Sequence, residues 1–215
     1  AKESMLSTLY SMLCVCLGNP PESFDWQVRD KDKKFIRINN LSPQDFYRKH
    51  VNVDLKEKVC LIHAPMSNKK MNELYTVSYL GNVVGGQIIN YVNVEIDDMK
   101  RAAIKSIKNN EAVWFGCDVG KMFHRDLGVM DTDLYDYESL FGTDFLMDKA
   151  TRLEYGDSLM THAMLFTGVD IVKSKSTKWR VENSWGDKGG SKGYYLMTDK
   201  WFDEYNYEVV VDKKY

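Results

Sequence analysis

The stretch Lys178-Trp179-Arg180-Val181-Glu182-Asn183-Ser184-Trp185-Gly186 decides how the chain is read. It reads as a strand that stops at Asn183, where Ser184-Trp185-Gly186 takes over. An asparagine at a strand end, followed closely by a tryptophan, offers a side-chain amide shielded from water by an indole. Such shielding strengthens any hydrogen bond the amide makes, because water competes for it less. About one strand and loop earlier stands a lone histidine, in Met160-Thr161-His162-Ala163-Met164-Leu165-Phe166, an otherwise apolar strand.

Each residue alone has a plain structural reading: His162 as a satisfied core histidine, Asn183 as the start of a turn with Trp185 in the core. Together, an imidazole and an amide on strands are two members of a three-part set. In that set a cysteine thiolate attacks a carbonyl, the imidazole relays the proton, and the amide holds the imidazole in one tautomer and orientation.

The rest of the composition sets limits. A chain of 215 residues can bury one good-sized core, or a domain with a large insertion. Hydrophobic residues at 44% and charged residues at 28% suit a globular protein, and a net charge of −2 argues against general electrostatic capture of nucleic acid. No apolar run approaches the ~20 residues that span a bilayer. Ala1-Lys2-Glu3-Ser4 has no signal-peptide pattern, and an apolar helix starts almost at once, as though within a larger polypeptide. Cys14, Cys16, Cys60 and Cys117 do not form a disulfide framework, which points to a reducing, intracellular compartment.

Along the chain, residues 4–17 carry apolar positions at helical spacing, closed by Gly18 and Pro20-Pro21. Residues 24–28 and 34–38 flank a charged turn and read as a hairpin; Ser42-Pro43 opens a short helix to about His50. A buried strand is expected at 59–64, turn-rich extended chain at 75–91 around Gly81-Asn82 and Gly85-Gly86, and a helix at 99–109 capped by Asp97-Asp98. A strand follows at 112–117. Residues 118–160 read as a long loop region with one short helix near 136–141. Strands at 162–172, 178–183 and 193–198, a helix at 199–205 and a strand at 207–211 complete a β-rich end.

Thr161-His162-Ala163, Glu182-Asn183-Ser184-Trp185-Gly186, Gly189-Gly190 and Gly193-Tyr194-Tyr195 resemble the histidine and asparagine blocks of papain-like cysteine peptidases. Val113-Trp114-Phe115-Gly116-Cys117-Asp118-Val119-Gly120-Lys121, Ser158-Leu159-Met160-Thr161-His162-Ala163 and Tyr207-Glu208-Val209-Val210-Val211-Asp212 narrow the resemblance to the bleomycin hydrolase family of cytoplasmic aminopeptidases, most strongly over about 93–213. The resemblance implies an α+β, papain-like fold: a β-rich half-barrel wall at 93–215 and a helical, mixed insertion region at 1–92. It implies His162 as the catalytic imidazole, Asn183 as its orienting partner and Trp185 as the indole covering their bond. It also implies peptide or small amide substrates, a homo-hexameric assembly, a cytoplasmic location and no cofactor or metal.

The pattern is incomplete. The family's glutamine and Cys-Trp at a helix start are absent, as is its C-terminal extension, the chain stopping at Lys213-Lys214-Tyr215. Cys117 precedes His162 and Asn183 in the right order but follows an apolar strand and opens no helix, so it lacks the field that lowers a thiol's pKa. The expectation is therefore the C-terminal portion of a thiol aminopeptidase, inactive alone, whose nucleophile lies in sequence before Ala1. The rivals are a non-catalytic binding or assembly module, a peptidase that uses Cys117, and nucleic-acid binding through the cations of Lys69-Lys70, Lys100-Arg101 and Lys105 to Lys108, on loops and one helix face.

Overall fold

The computed structural model describes residues 1–215 except Asn82, Val84 and Leu146. Asn82, named above in the turn-rich stretch, thus lies outside the described residues. Chain contacts divide the molecule into two compact units, Ala1–Asp54 and Leu55–Tyr215.

In the first unit, helix α1 (Lys2–Leu17) ends at Gly18, whose φ of 85° lets its N–H return to the carbonyl of Cys14. The apolar spacing that predicts this helix does not predict its environment: none of its residues is buried. Strands β1 (Phe24–Arg29) and β2 (Phe35–Leu41) form the expected hairpin. The Asp30 carboxylate closes its charged turn by accepting the N–H groups of Asp32 and Lys34. Helix α2 (Pro43–Phe46) starts at Ser42, whose hydroxyl accepts the Asp45 N–H, and continues as a wider turn over Tyr47–Val51.

The second unit is built on one ten-stranded sheet. Its elements are β3 (Lys58–Ile62), β4 (Leu74–Tyr75), β5 (Tyr91–Asn93), α3 (Ile96–Lys108), β6 (Val113–Cys117), β7 (Phe123–His124), β8 (Val129–Met130), α4 (Tyr137–Phe141), α5 (Lys149–Glu154), β9 (His162–Val172), β10 (Lys175–Glu182), β11 (Tyr194–Thr198), α6 (Asp199–Tyr205) and β12 (Asn206–Asp212). The strand order is β4-β5-β3-β12-β6-β9-β10-β11-β8-β7. Pairing is antiparallel through the centre and parallel at β3–β5 and β8–β11. The strand β3 therefore shares a sheet with β12, so the contact boundary at Asp54/Leu55 does not coincide with the 92/93 division expected from sequence.

Alternation builds the core. Val113, Phe115, Met164, Phe166, Trp179, Val181, Val209 and Val211 point to one side, and α3 and α6 cover them with Met99, Ala102, Ala103, Trp201 and Phe202. The rings of Phe115 and Phe166 stack at 3.8 Å, and Phe202 lies against Phe166 at 5.3 Å. Each buried aromatic contributes roughly 2–3 kcal/mol of transfer free energy. Helix α3 begins one turn-fraction earlier than expected, with Glu95 at its cap position; Asp97 and Asp98 sit inside the first turn, where they favour the helix dipole. The elements α5, β7 and β8 lie in the stretch expected to be loop.

Candidate active site

Strand β9 begins at His162 and β10 ends at Glu182, and their register pairs Val181 with Phe166 and Glu182 with Leu165. By alternation His162 shares a face with Met164 and Phe166, and Asn183 shares a face with Val181. Both polar side chains thus leave the core side of the sheet at the same end. The His162 Nε2 lies 3.0 Å from the Asn183 Oδ1.

Which nitrogen carries the proton follows from the acceptors. The Ser184 backbone N–H donates to the same Asn183 Oδ1 at 2.8 Å, which fixes the amide with its oxygen toward the imidazole. An amide oxygen only accepts, so Nε2 must donate and Nδ1 carries the lone pair. The Asn183 Nδ2 is buried with no partner among the described residues. The backbone N–H of Asn183 donates to Gly193 at 3.2 Å, tying the strand end to the following turn.

The loop before His162 is held from below. The Thr161 N–H donates to the Cys117 carbonyl at 2.9 Å, and its hydroxyl accepts the Val119 N–H at 3.2 Å. The Ser158 hydroxyl donates to the buried Asp118 carboxylate at 2.8 Å, and the Tyr207 hydroxyl donates to Ser158 at 2.5 Å. Burial pushes the Tyr207 phenol up to about 12, so it remains a donor. A fully satisfied buried network of this kind fixes geometry more than it adds stability.

Trp185 stacks on His162 with ring centroids 4.8 Å apart and planes at 31°. Its own exposure is 41%, so it covers the imidazole and still meets solvent. Phe123 and Tyr195 support its rim at 6.3 and 6.4 Å, and the Arg125 guanidinium lies over the indole at 5.0 Å. Sequence reasoning missed Phe123 and Arg125, which belong to the β7–β8 hairpin; no periodicity marks a pair of two-residue strands.

The Gly189-Gly190 pair has a steric reason. A Cβ on Gly190 would lie 2.3 Å from the Tyr194 carbonyl, and one on Gly189 would lie 2.1 Å from the Tyr195 hydroxyl. A Cβ on Gly128, in the β7–β8 turn, would lie 2.6 Å from the Gly190 Cα. Only glycines let these two turns meet, and their meeting sets the hairpin beside Trp185.

Cys117 pairs directly with His162 across β6 and β9, which puts the two side chains on one face. The thiol is fully buried, and burial, with the Asp118 carboxylate beside it, pushes its pKa well above the ordinary range. That is opposite to what a nucleophilic thiolate needs. Cys60 is half-buried in β3, where burial and then Glu208 push it up to about 11. Cys14 and Cys16 lie on α1, in the other unit. All four cysteines are free thiols.

The model of the peptidase C1-like family matches residues 1–215. Bleomycin hydrolase from Homo sapiens is 51% identical over all of this chain and 48% of its own length. Aminopeptidase C from Listeria innocua is 47% identical with the same coverage of both chains. The crystal structure of PepW from Lactobacillus rhamnosis HN001 superposes with a TM-score of 0.93 at 51% identity, over 99% of this chain and 48% of that one. The chain spans about half the length of the curated relatives it matches.

Proposed function

The chain belongs to the peptidase C1-like family, and from that premise we propose that it is the part of a thiol aminopeptidase that carries the general base and its orienting amide. The observation that supports this best is the His162–Asn183 hydrogen bond beneath Trp185, with Nδ1 left as the basic nitrogen. A thiol placed at Nδ1 would pass its proton to the imidazole, and the thiolate would attack the carbonyl of the substrate's first peptide or amide bond. The imidazolium would then return that proton to the leaving amine as the C–N bond breaks. Water activated by the same nitrogen would hydrolyse the thioester, releasing the N-terminal residue and restoring the thiol.

The nucleophile, on this reading, comes from sequence outside these 215 residues, because Cys117 is buried with its pKa raised. The relatives' names, bleomycin hydrolase and aminopeptidase C, support peptides and small amides as substrates. A homo-hexameric assembly and a cytoplasmic location complete the reading, which invokes no cofactor.

The test compares the full-length protein with the 215-residue piece on an aminoacyl fluorogenic amide. The full protein should turn it over in a thiol-dependent manner, His162→Ala should abolish turnover, and the piece alone should be inert. Turnover by the piece that His162→Ala removes would defeat the assignment of an outside nucleophile.

A further inference from the structure

Arg125 presents an unusual arrangement beside the candidate base. Its guanidinium lies with its carbon 5.0 Å from the centroid of the Trp185 indole, and it makes no ion pair or hydrogen bond among the described residues. With no partner for its N–H groups among the described residues, a guanidinium lying over a ring can still take a carboxylate in a two-pronged pair. The position is built and not incidental. The turn that holds it is closed by the Gly128 N–H donating to the His124 carbonyl at 2.9 Å, and by the Leu127 N–H donating to the His124 Nδ1 at 3.3 Å. The same turn is tied to β11 by the Leu196 N–H donating to the Gly128 carbonyl at 2.8 Å, and it abuts Gly190.

The direction of departure follows from the proton transfer. The leaving nitrogen must come within hydrogen-bond reach of the His162 imidazole, so the first residue of the leaving segment must pass beside one of the imidazole's neighbours. Asn183 holds the Nε2 edge and is buried; Trp185 holds a face and is open. A segment that leaves across Trp185 meets Arg125 next.

We infer that Arg125 is a specificity-determining residue on the leaving-group side, pairing with a carboxylate on the first residue of the departing segment. That carboxylate is either an acidic side chain or the free carboxyl group of a one-residue leaving group. The inference deepens the proposed peptidase function and rests on it.

The experiment uses the full-length protein and four substrates with one N-terminal residue and different leaving groups: glycine amide, aspartate amide, lysine amide and glycine with a free carboxylate. In the wild type, at least one of the two carboxylate-bearing leaving groups should exceed glycine amide in kcat/KM, more so at low salt. Arg125→Gln should reduce each raised ratio by about three- to tenfold, the size of an exposed two-pronged pair. Arg125→Lys should keep part of the ratios, and Arg125→Glu should shift preference to lysine amide. Which of the two carboxylate substrates responds tells side chain from terminus. Equal factors on all four substrates would mean that Arg125 only props Trp185, and unchanged ratios would mean that it meets no substrate; either overturns the inference while leaving the peptidase reading intact. Failure of the wild type on all four substrates would instead sink the peptidase reading, and this inference with it.

Discussion

The imidazole of His162 and the amide of Asn183 are joined at 3.0 Å through an oxygen that also takes the Ser184 N–H. The amide nitrogen contributes nothing to this arrangement among the described residues, since Nδ2 has no partner there. Two substitutions separate orientation from charge. Asn183→Ala removes the acceptor and should lower kcat/KM of the full-length protein by about 10- to 100-fold, the worth of a hydrogen bond to a group that becomes charged. Asn183→Asp keeps the acceptor and loses only the unpartnered nitrogen. It should retain more activity than alanine, with the pH profile displaced upward because a carboxylate favours imidazolium. Equal losses in both variants would deny the amide oxygen an orienting role.

Cys117 tests the rival nucleophile directly. Its burial keeps the thiol protonated, so iodoacetamide at mildly acidic pH should leave it unmodified in the folded full-length protein, with modification appearing only on unfolding. Peptide mapping by mass spectrometry reads this. Cys16, exposed on α1, should be modified in the folded protein once conditions allow alkylation of an accessible thiol. Rapid native modification of Cys117 would revive the reading in which it attacks the substrate.

Much of this was legible from sequence, for a physical reason. Strands β9, β10 and β11 and helix α6 fall close to the ranges expected from sequence, because their apolar residues do face the core. Helix α5 was not legible. Its buried residues are Lys149 and Arg152, whose charges are satisfied by the Asp203 and Asn206 carbonyls and by Glu204, so the inward face gives no apolar signal. The Asp148 side chain, which accepts the Thr151 N–H, was the only local sign of its start. At the candidate site, His162, Asn183 and Trp185, singled out through the resemblance, lie together in the structure. Arg125 was not legible, because its place depends on two turns meeting at Gly128 and Gly190.

The close approach of Tyr194 to Gly190 predicts a cost. Gly190 has a φ of 57° and would drive a Cβ to 2.3 Å from the Tyr194 carbonyl, which is backbone and cannot swing aside. Gly190→Ala should destabilise the folded chain by roughly 2–4 kcal/mol, combining left-handed strain with the clash. Denaturant unfolding of the full-length protein measures it. Gly142→Ala is the control: φ is 69° but open space surrounds it, so only the strain of about 1 kcal/mol should appear. Equal costs at the two sites would mean that the Tyr194 carbonyl does not crowd position 190.

Two buried groups oppose each other in acid. Burial holds the His63 imidazole near 4, with the Lys149 cation acting in the same direction; Val94 accepts its Nδ1–H at 2.9 Å and Glu204 acts weakly the other way. Its folded pKa is below the unfolded value, so the unfolded chain binds the extra proton and stability falls as pH drops from 6.5 toward 4. Burial raises the Glu208 carboxyl to about 6, offset in part by the Cys60 thiol that donates to it. Here the folded chain binds the extra proton, so stability rises as pH drops from 6 toward 4.5. Each effect has a slope of about 1.4 kcal/mol per pH unit where the windows overlap, and the signs are opposite. Glu208→Gln removes one side of the balance. It should raise stability above pH 6 by on the order of 1–2 kcal/mol and should make the loss between pH 6 and 4.5 steeper than in the wild type. Denaturant midpoints of both proteins across pH 4–7 read the difference, and parallel curves would refute the opposed pair.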